Sequence, residues 1–382
     1  MIDESSPTRI YLSPPNVSGL EVEAVVRALE SGWVAPLGPE VNGFEADVAK
    51  FCGARNAVAL SSGTAAIHLG LKALGVTAGD TVVVPTMTFG ATAFAVTYLD
   101  ALPVFIDVET ESWNLDPSLL REYLVKSAAA GHLPAAIVTV DVFGTPCNYA
   151  KILAVAAEFG IPVLADSAEA LGATHQLGAC GSLGDVSIVS FNGNKIMTTS
   201  GGGMLLTPDA EIAAKVHYWS AQSRTNAPWY EHEEVGYNYR MSNVLAALGR
   251  AQLTRLPAMI SRRQQIRDLY TDLLRVVDGI HILRDPTWGA SNAWLTIALF
   301  DPKRFPGAPQ VVRETLEIAN IEARPTWKPM HQQPVFSRAQ CLLNGNADRL
   351  FSDGLCLPSG SKMTNDDVVR VTKAVLAALS SL

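Results

Sequence analysis

What this 382-residue sequence has little of sets its first bounds. Charged residues make up only 17% of it and aromatic residues 7%, against 48% hydrophobic residues. That balance excludes a disordered or solvating chain and favours a well-buried globular protein. Basic residues are in deficit, 29 Lys and Arg against 37 Asp and Glu, for a net charge of −8. A broad nucleic-acid or anionic-membrane surface is therefore not expected, while a local basic pocket for a phosphorylated ligand is still allowed. No apolar run approaches the roughly 18 residues that a spanning helix needs. Residues 1–7 are polar and acidic with no apolar signal core, so the expectation is a cytoplasmic enzyme. Asn16-Val17-Ser18 matches a glycosylation sequon and, without a secretory signal, is read as chance. The five cysteines (Cys52, Cys147, Cys180, Cys341, Cys356) are odd in number, scattered and lack a C-x-x-C pair. Neither a disulfide framework nor a zinc site is predicted from them. Also missing are G-x-x-x-x-G-K-[ST], a strand-linked G-x-G-x-x-G and H-E-x-x-H; His232-Glu233-Glu234 has the wrong spacing. P-loop and Rossmann sites are thus unsupported, and no metal site is expected.

What is present is alternation. Short apolar runs at 57–60, 81–84, 103–106, 135–140, 161–165, 186–190 and 204–206 read as strands. Helical spacing occupies 18–31, 41–51, 65–74, 91–99, 117–130, 149–159 and 209–221. Several strands are continuously apolar, as expected when both faces of a sheet are covered. This pattern predicts an α/β fold with a mostly parallel central sheet between helices. After residue 241 the texture changes. A long helix over 241–273, broken or bent near Pro257, leads into strands at 281–283 and 295–300. Helices near 311–318 and 366–379 follow. Two domains are expected: residues 1–254 as a large α/β unit and 255–382 as a smaller α+β unit.

Chemistry-bearing residues gather where the strands end. The run 185–191 stops at the turn dipeptide Asn192-Gly193, so Lys195 stands just past a strand, with Gly201, Gly202 and Gly203 behind it. A partly desolvated lysine there has the properties of a Schiff-base former. Asp166 closes the apolar run 161–165, at the carboxyl edge where α/β sheets bind ligands. It reads either as a helix cap or as the carboxylate that protonates a pyridine nitrogen. Glu169, three residues on, would share a face of a helix turn with it. Ser61-Ser62-Gly63-Thr64 follows a strand and opens a helix, an arrangement suited to a phosphate or to an ordinary Ser cap. Phe89, past another strand end, would stack on a flat ring or pack in the core. The loop 236–243 would cap the long helix.

Together these segments resemble the DegT/DnrJ family of sugar aminotransferases, fold-type I pyridoxal-phosphate enzymes. The resemblance runs from Ile10 to the C-terminal helix. It rests on Tyr11-Leu12-Ser13-Pro14-Pro15, Gly32-Trp33-Val34-Ala35-Pro36-Leu37-Gly38-Pro39, Ser62-Gly63-Thr64-Ala65-Ala66, Asp166-Ser167-Ala168-Glu169-Ala170-Leu171-Gly172, the run 190–203, and Gly236-Tyr237-Asn238-Tyr239-Arg240. Phe191-Asn192-Gly193-Asn194-Lys195 and Ile321-Glu322-Ala323-Arg324-Pro325-Thr326-Trp327-Lys328-Pro329-Met330-His331 are similar to the branch that aminates UDP-4-keto-6-deoxy-N-acetylglucosamine at C4. That branch includes bacillosamine-pathway and exopolysaccharide enzymes. Many relatives carry Gln or His in place of Glu169, and often Gly-Glu-Gly-Gly in place of Ser200-Gly201-Gly202-Gly203. The resemblance implies pyridoxal 5'-phosphate as cofactor, L-glutamate as donor and a nucleotide-linked ketosugar as acceptor. It implies that Lys195 carries the Schiff base, Asp166 meets the ring nitrogen, Glu169 the phenolic oxygen and Phe89 the ring face. Gly63, Thr64 and Ser190 would hold the phosphate. Asn238 would reach the cofactor of a second subunit, in a homodimer with composite sites. Arg240, Trp327, Lys328 and His331 fall on the nucleotide-sugar side, with an ion-pair role as the other reading of Arg240. Another ketosugar, 3-keto or GDP- or dTDP-linked, is the alternative substrate. A non-catalytic sensor would be expected to lose Lys195 or Asp166, and a dehydratase of this fold would carry histidine for Lys195.

Overall fold

The structure, a computed structural model, describes residues 8–382; the signal-free reading of residues 1–7 lies outside the described residues. Its centre is an eight-stranded sheet. The strands are β1 (Asn56–Leu60), β2 (Thr81–Pro85), β3 (Leu102–Ile106), β4 (Ala136–Val140), β5 (Val163–Asp166), β6 (Val186–Ser190), β7 (Gly203–Thr207) and β8 (Cys341–Leu342). In space they run β1-β7-β6-β5-β4-β2-β3-β8. Only β7 is antiparallel to its neighbours; the remaining pairs are parallel. Every residue of β4 to β7 is buried, which is why these strands read as mainly apolar runs with only small or isolated polar residues. The helices of this half are α1 (Gly19–Glu30), α2 (Pro39–Cys52), α3 (Gly63–Ala73), α4 (Gly90–Thr97), α5 (Pro117–Ala129), α6 (Tyr149–Phe159) and α7 (Ala210–Ser220). Observed strands and helices of the large unit lie close to the expected ones. A four-stranded antiparallel sheet follows, in the order Ile280–Ile282, Thr296–Phe300, Gly354–Leu357, Arg324–Pro325. It shares a core with helices Ala308–Ile318 and Asn365–Leu379.

The expected border at 254/255 falls inside a single helix, α8 (Asn243–Leu274), with Pro257 within it rather than at a break. Leu253, Leu256 and Met259 are buried on either side of the proline, so burial holds the helix across the lost N–H. The two halves are also interlaced. Arg9 pairs with Glu317, Ile10 bridges Ile321 and the Leu12 N–H donates to Glu322, so the N-terminal segment joins the smaller layer. In the other direction, β8 comes from the C-terminal part and extends the large sheet beside β3. Four cysteines are buried, Cys341 is exposed, and all five are free.

Helix α1 forms where its spacing predicts, yet its apolar face points outward. Leu20, Val22, Val26 and Leu29 are exposed, and Glu21, Ala24 and Ala28 are buried. Alanines allow the closer approach, and Ala24 and Ala28 meet Ala247 and Ala251 of α8. Glu21 is drawn in by Arg255 at 2.6 Å and by Gln252 at 2.5 Å. Burial pushes its carboxyl up, but hydrogen bonds from Ser18 and Arg255 prevail and hold it at about 2. Among the described residues no element covers these four exposed apolar side chains.

Strand β7 touches the start of α3 so closely that only glycine fits. A Cβ on Gly203 would lie 2.5 Å from Gly63 N and from Ser62 C and O, all backbone atoms that cannot swing aside. Gly203→Ala should lower the unfolding free energy by about 1–3 kcal/mol. Urea denaturation measures this, and an unchanged midpoint would show that strand and helix separate without penalty.

Candidate active site

The carboxyl ends of β1, β2, β5 and β6 open on one cavity of about 290 Å³. Its floor and walls bring together Gly63, Thr64, Phe89, Asp166, Glu169, Ser190, Lys195 and Trp327, all singled out in the sequence. Gly63 and Thr64 begin α3, where leading N–H groups have no carbonyl of a preceding turn. Ser62 caps the helix, accepting from Ala65 N at 3.0 Å. Ser190 ends β6 directly beneath: a Cβ on Gly63 would meet its Cβ at 3.1 Å and Oγ at 3.3 Å. Helix dipole, free N–H groups and hydroxyl thus converge on one small polar cradle.

Asp166, the last residue of β5, is buried. Its Oδ2 accepts from Thr92 Oγ1 at 2.7 Å, and Oδ1 accepts from Ala168 N at 3.1 Å. Burial raises its carboxyl to about 6, against the lowering effect of those hydrogen bonds and of Lys195. Turns at 168–169 and 171–172 follow Asp166, so neither the helix that Asp166 would cap nor the helix turn expected for Glu169 exists. The turn nevertheless brings Glu169 into the cavity. Its Oε2 accepts from Phe143 N at 2.7 Å, and its Oε1 lies 3.5 Å from Lys195 Nζ. Phe143 holds that N–H out with φ at 56°, a left-handed conformation unusual for a bulky residue. Lys195 has a side chain only 11% exposed, with Nζ 4.4 Å from the centre of the Trp294 ring. Phe89 is 62% exposed and meets Trp327 edge-on at 6.5 Å.

Four of the expected residues stand outside this cavity. Arg240 is engaged away from the cavity: its guanidinium donates to Glu45 on α2 at 2.7 Å and to the Ala59 carbonyl at 3.0 Å, leaving the side chain 8% exposed. His331 is engaged by Thr86 at 2.7 Å and by Asp348 at 2.9 Å. Lys328 is exposed at the surface. Asn238 is also exposed, bridged through its backbone to Ala221. Two cavity residues went unseen in the sequence. Thr92 sits in the first turn of α4, and only its place just after a strand end signals it. Trp294, 1% exposed, precedes the Thr296–Phe300 strand and carries no local motif.

Comparison with known proteins supplies an independent line. The sequence model of the DegT/DnrJ/EryC1/StrS aminotransferase family matches residues 15–376. EpsN of Bacillus subtilis (strain 168), described as a pyridoxal phosphate-dependent aminotransferase, is 42% identical over 372 residues, covering 96% of this chain and 95% of that protein. GDP-perosamine synthase of Caulobacter vibrioides is 34% identical, covering 96% and 97%. The solved structure of Spr1654 from Streptococcus pneumoniae in its PLP form, described as a sugar aminotransferase, is 25% identical with a TM-score of 0.86. It covers 98% of this chain and 99% of that one.

The cavity fits pyridoxal 5'-phosphate on its own chemistry. A buried amine, a buried carboxylate without a directly bonded cation, an aromatic cover and an anion cradle are the four partners that cofactor needs. Asp166 also makes the cofactor-free protein sensitive to pH. Its folded value, about 6, lies above the ordinary 3.8, so its contribution is fully present below 3.8 and lost as pH rises through 6. Relative to Asp166→Asn, the cofactor-free wild type should lose on the order of 2–3 kcal/mol of stability between pH 4 and pH 7. Parallel pH dependences in the two proteins, read by denaturant titration, would refute the assignment.

Proposed function

The chain belongs to the DegT/DnrJ/EryC1/StrS aminotransferase family, and on that premise we propose that it aminates UDP-4-keto-6-deoxy-N-acetylglucosamine at C4 with L-glutamate as donor. It is a pyridoxal 5'-phosphate-dependent sugar aminotransferase acting on nucleotide-linked ketosugars. The observation that carries the residue assignment is Lys195 Nζ, largely withdrawn from solvent in the cavity between Glu169 and Trp294. When bound, the cofactor supplies an aldehyde for amine condensation and a ring that withdraws electrons. Lys195 Nζ then moves a proton at the reacting carbon, first of the donor and later of the acceptor sugar. Asp166 would hold the proton on the ring nitrogen, and Glu169, beside the Lys195 amine, would meet the phenolic oxygen. The first N–H groups of α3, with Ser190, hold the phosphate. Trp327 and Phe89 cover the cavity and exclude water. One lysine serving both halves implies ping-pong kinetics.

Support for the UDP-sugar reading comes from the run 321–331, whose Trp327 lines the cavity. A GDP-linked ketosugar is the second reading, favoured by the relative named GDP-perosamine synthase. Asn238, exposed and outside its own chain's cavity, supports a homodimer with composite sites. The uncovered apolar face of α1 supports an interface with a second copy. No helix among the described residues is long and apolar enough to cross a membrane, and a cytoplasmic location belongs to the same proposal.

Lys195→Ala should fold and lose turnover by at least about 10²–10⁴-fold, the range a positioned base supplies. Borohydride reduction of the wild type should fix the cofactor to the peptide that contains Lys195, and a label on another lysine would reject the assignment. Given UDP-, GDP- and dTDP-linked ketosugars with L-glutamate, mass spectrometry should find the highest kcat/KM with the UDP sugar. A GDP sugar turned over faster would transfer the proposal to the second reading.

Mixing two inactive proteins tests the composite site. Lys195→Ala subunits retain a good Asn238, and Asn238→Trp subunits retain a good Lys195. Once subunit exchange is verified, activity should return in part, because inactive homodimers also re-form. A mixture that stays inactive would place each site within one chain.

A further inference from the structure

Arg263 is a fully buried guanidinium. It lies on α8, is 1% exposed, and has no carboxylate partner among the described residues. Arginine is almost never fully buried without such a partner, because desolvating the guanidinium is costly. Its acceptors are all neutral. Nη1 donates to the Trp294 carbonyl at 2.6 Å and to the Ser359 carbonyl at 3.0 Å. Nη2 donates to Ser13 Oγ at 3.1 Å, and Nε has no partner.

Two of those acceptors lead to the same atom. Ser13 Oγ donates to the Asn194 carbonyl at 2.9 Å, and Trp294 Nε1 donates to it at 2.8 Å. That carbonyl belongs to the peptide bond immediately before Lys195. The Trp294 ring also faces Lys195 Nζ at 4.4 Å. A planar, forked cation reaches two acceptors at once, which neither an amide nor an ammonium does with the same geometry. We infer that Arg263 is a positioning residue for Lys195: by holding Trp294 and Ser13 together, it fixes the Asn194 peptide and the indole face between which the lysine amine is aimed. The desolvation cost of the guanidinium is thereby explained as the cost of that aim. Neutral side chains elsewhere in the core need no such device.

The inference rests on Lys195 as the cofactor-bearing residue, so the test separates the two. Cofactor-free protein is titrated with pyridoxal 5'-phosphate and with pyridoxine 5'-phosphate, which shares the ring and phosphate but lacks the aldehyde. The second probe reads the cradle alone; the first reads the cradle and the aim of Lys195. Arg263→Lys keeps the charge and loses the fork. It should weaken pyridoxal 5'-phosphate by about tenfold, the scale of one or two misplaced hydrogen bonds, and leave pyridoxine 5'-phosphate within about twofold. In turnover, kcat should fall by a similar factor with KM for L-glutamate little changed. Ser13→Ala removes only the hydroxyl between Arg263 and Asn194 and should move the first probe in the same direction by a smaller factor. It also serves if Arg263→Lys does not fold. Equal weakening of both probes would mean general damage to the pocket, and no weakening of either would mean that Arg263 only supports the fold; both overturn the inference. Lys195→Ala is the separate control. If it still prefers the aldehyde probe, the reading of Lys195 is wrong, whatever Arg263 does.

Discussion

A carboxylate taken out of water at the end of a sheet strand is the constraint around which this structure is arranged. Asp166 has Thr92, the Ala168 N–H and the charge of Lys195 to offset its burial. These do not repay the hydration of a full negative charge, and burial pushes its carboxyl up to about 6. A positive charge beside it would offset that burial. In the proposed role a protonated pyridine nitrogen would do so, and the benefit would be mutual: the carboxylate would keep the ring protonated, and the ring would keep the carboxylate ionised.

Much of this was legible in the sequence, for identifiable reasons. Strands buried on both faces leave mainly apolar runs, so β4, β5 and β6 were visible, and with them the strand ends that carry Asp166 and Lys195. Glycines at 63 and 203 mark a place where backbone meets backbone. Other features follow from distance along the chain, which local patterns do not record. The two-residue strand β8 is too short for any periodicity, and its partner β3 lies more than two hundred residues earlier. Helix α1 shows the limit of amphipathic reasoning. Amphipathic spacing alone would bury its larger apolar side chains, but close packing of alanines and the pull of Arg255 on Glu21 turn it the other way.

The same limit explains the mixed outcome for the site residues. Arg240 sits in a motif and is charged, yet Glu45, nearly two hundred positions away, takes that charge. Trp294 sits in no motif, yet its ring lies against the lysine amine. Motifs point to places where backbone geometry is demanding, as at the start of α3. They are silent about side chains delivered across the fold by another layer.

The seat of Lys195 also has a history in time. Its parts come from residues 13, 194, 263, 294 and 359, and the N-terminal segment must pair with residues 317–322. On a ribosome, the large sheet has most of its strands long before Ser359 emerges, so a cradle for phosphate forms while the guanidinium of Arg263 still lacks one of its acceptors. Contacts of such high sequence separation close late. The seat proposed for the lysine amine is thus closed by acceptors that stand far apart along the chain, the Ser359 carbonyl among the latest of them to be synthesised.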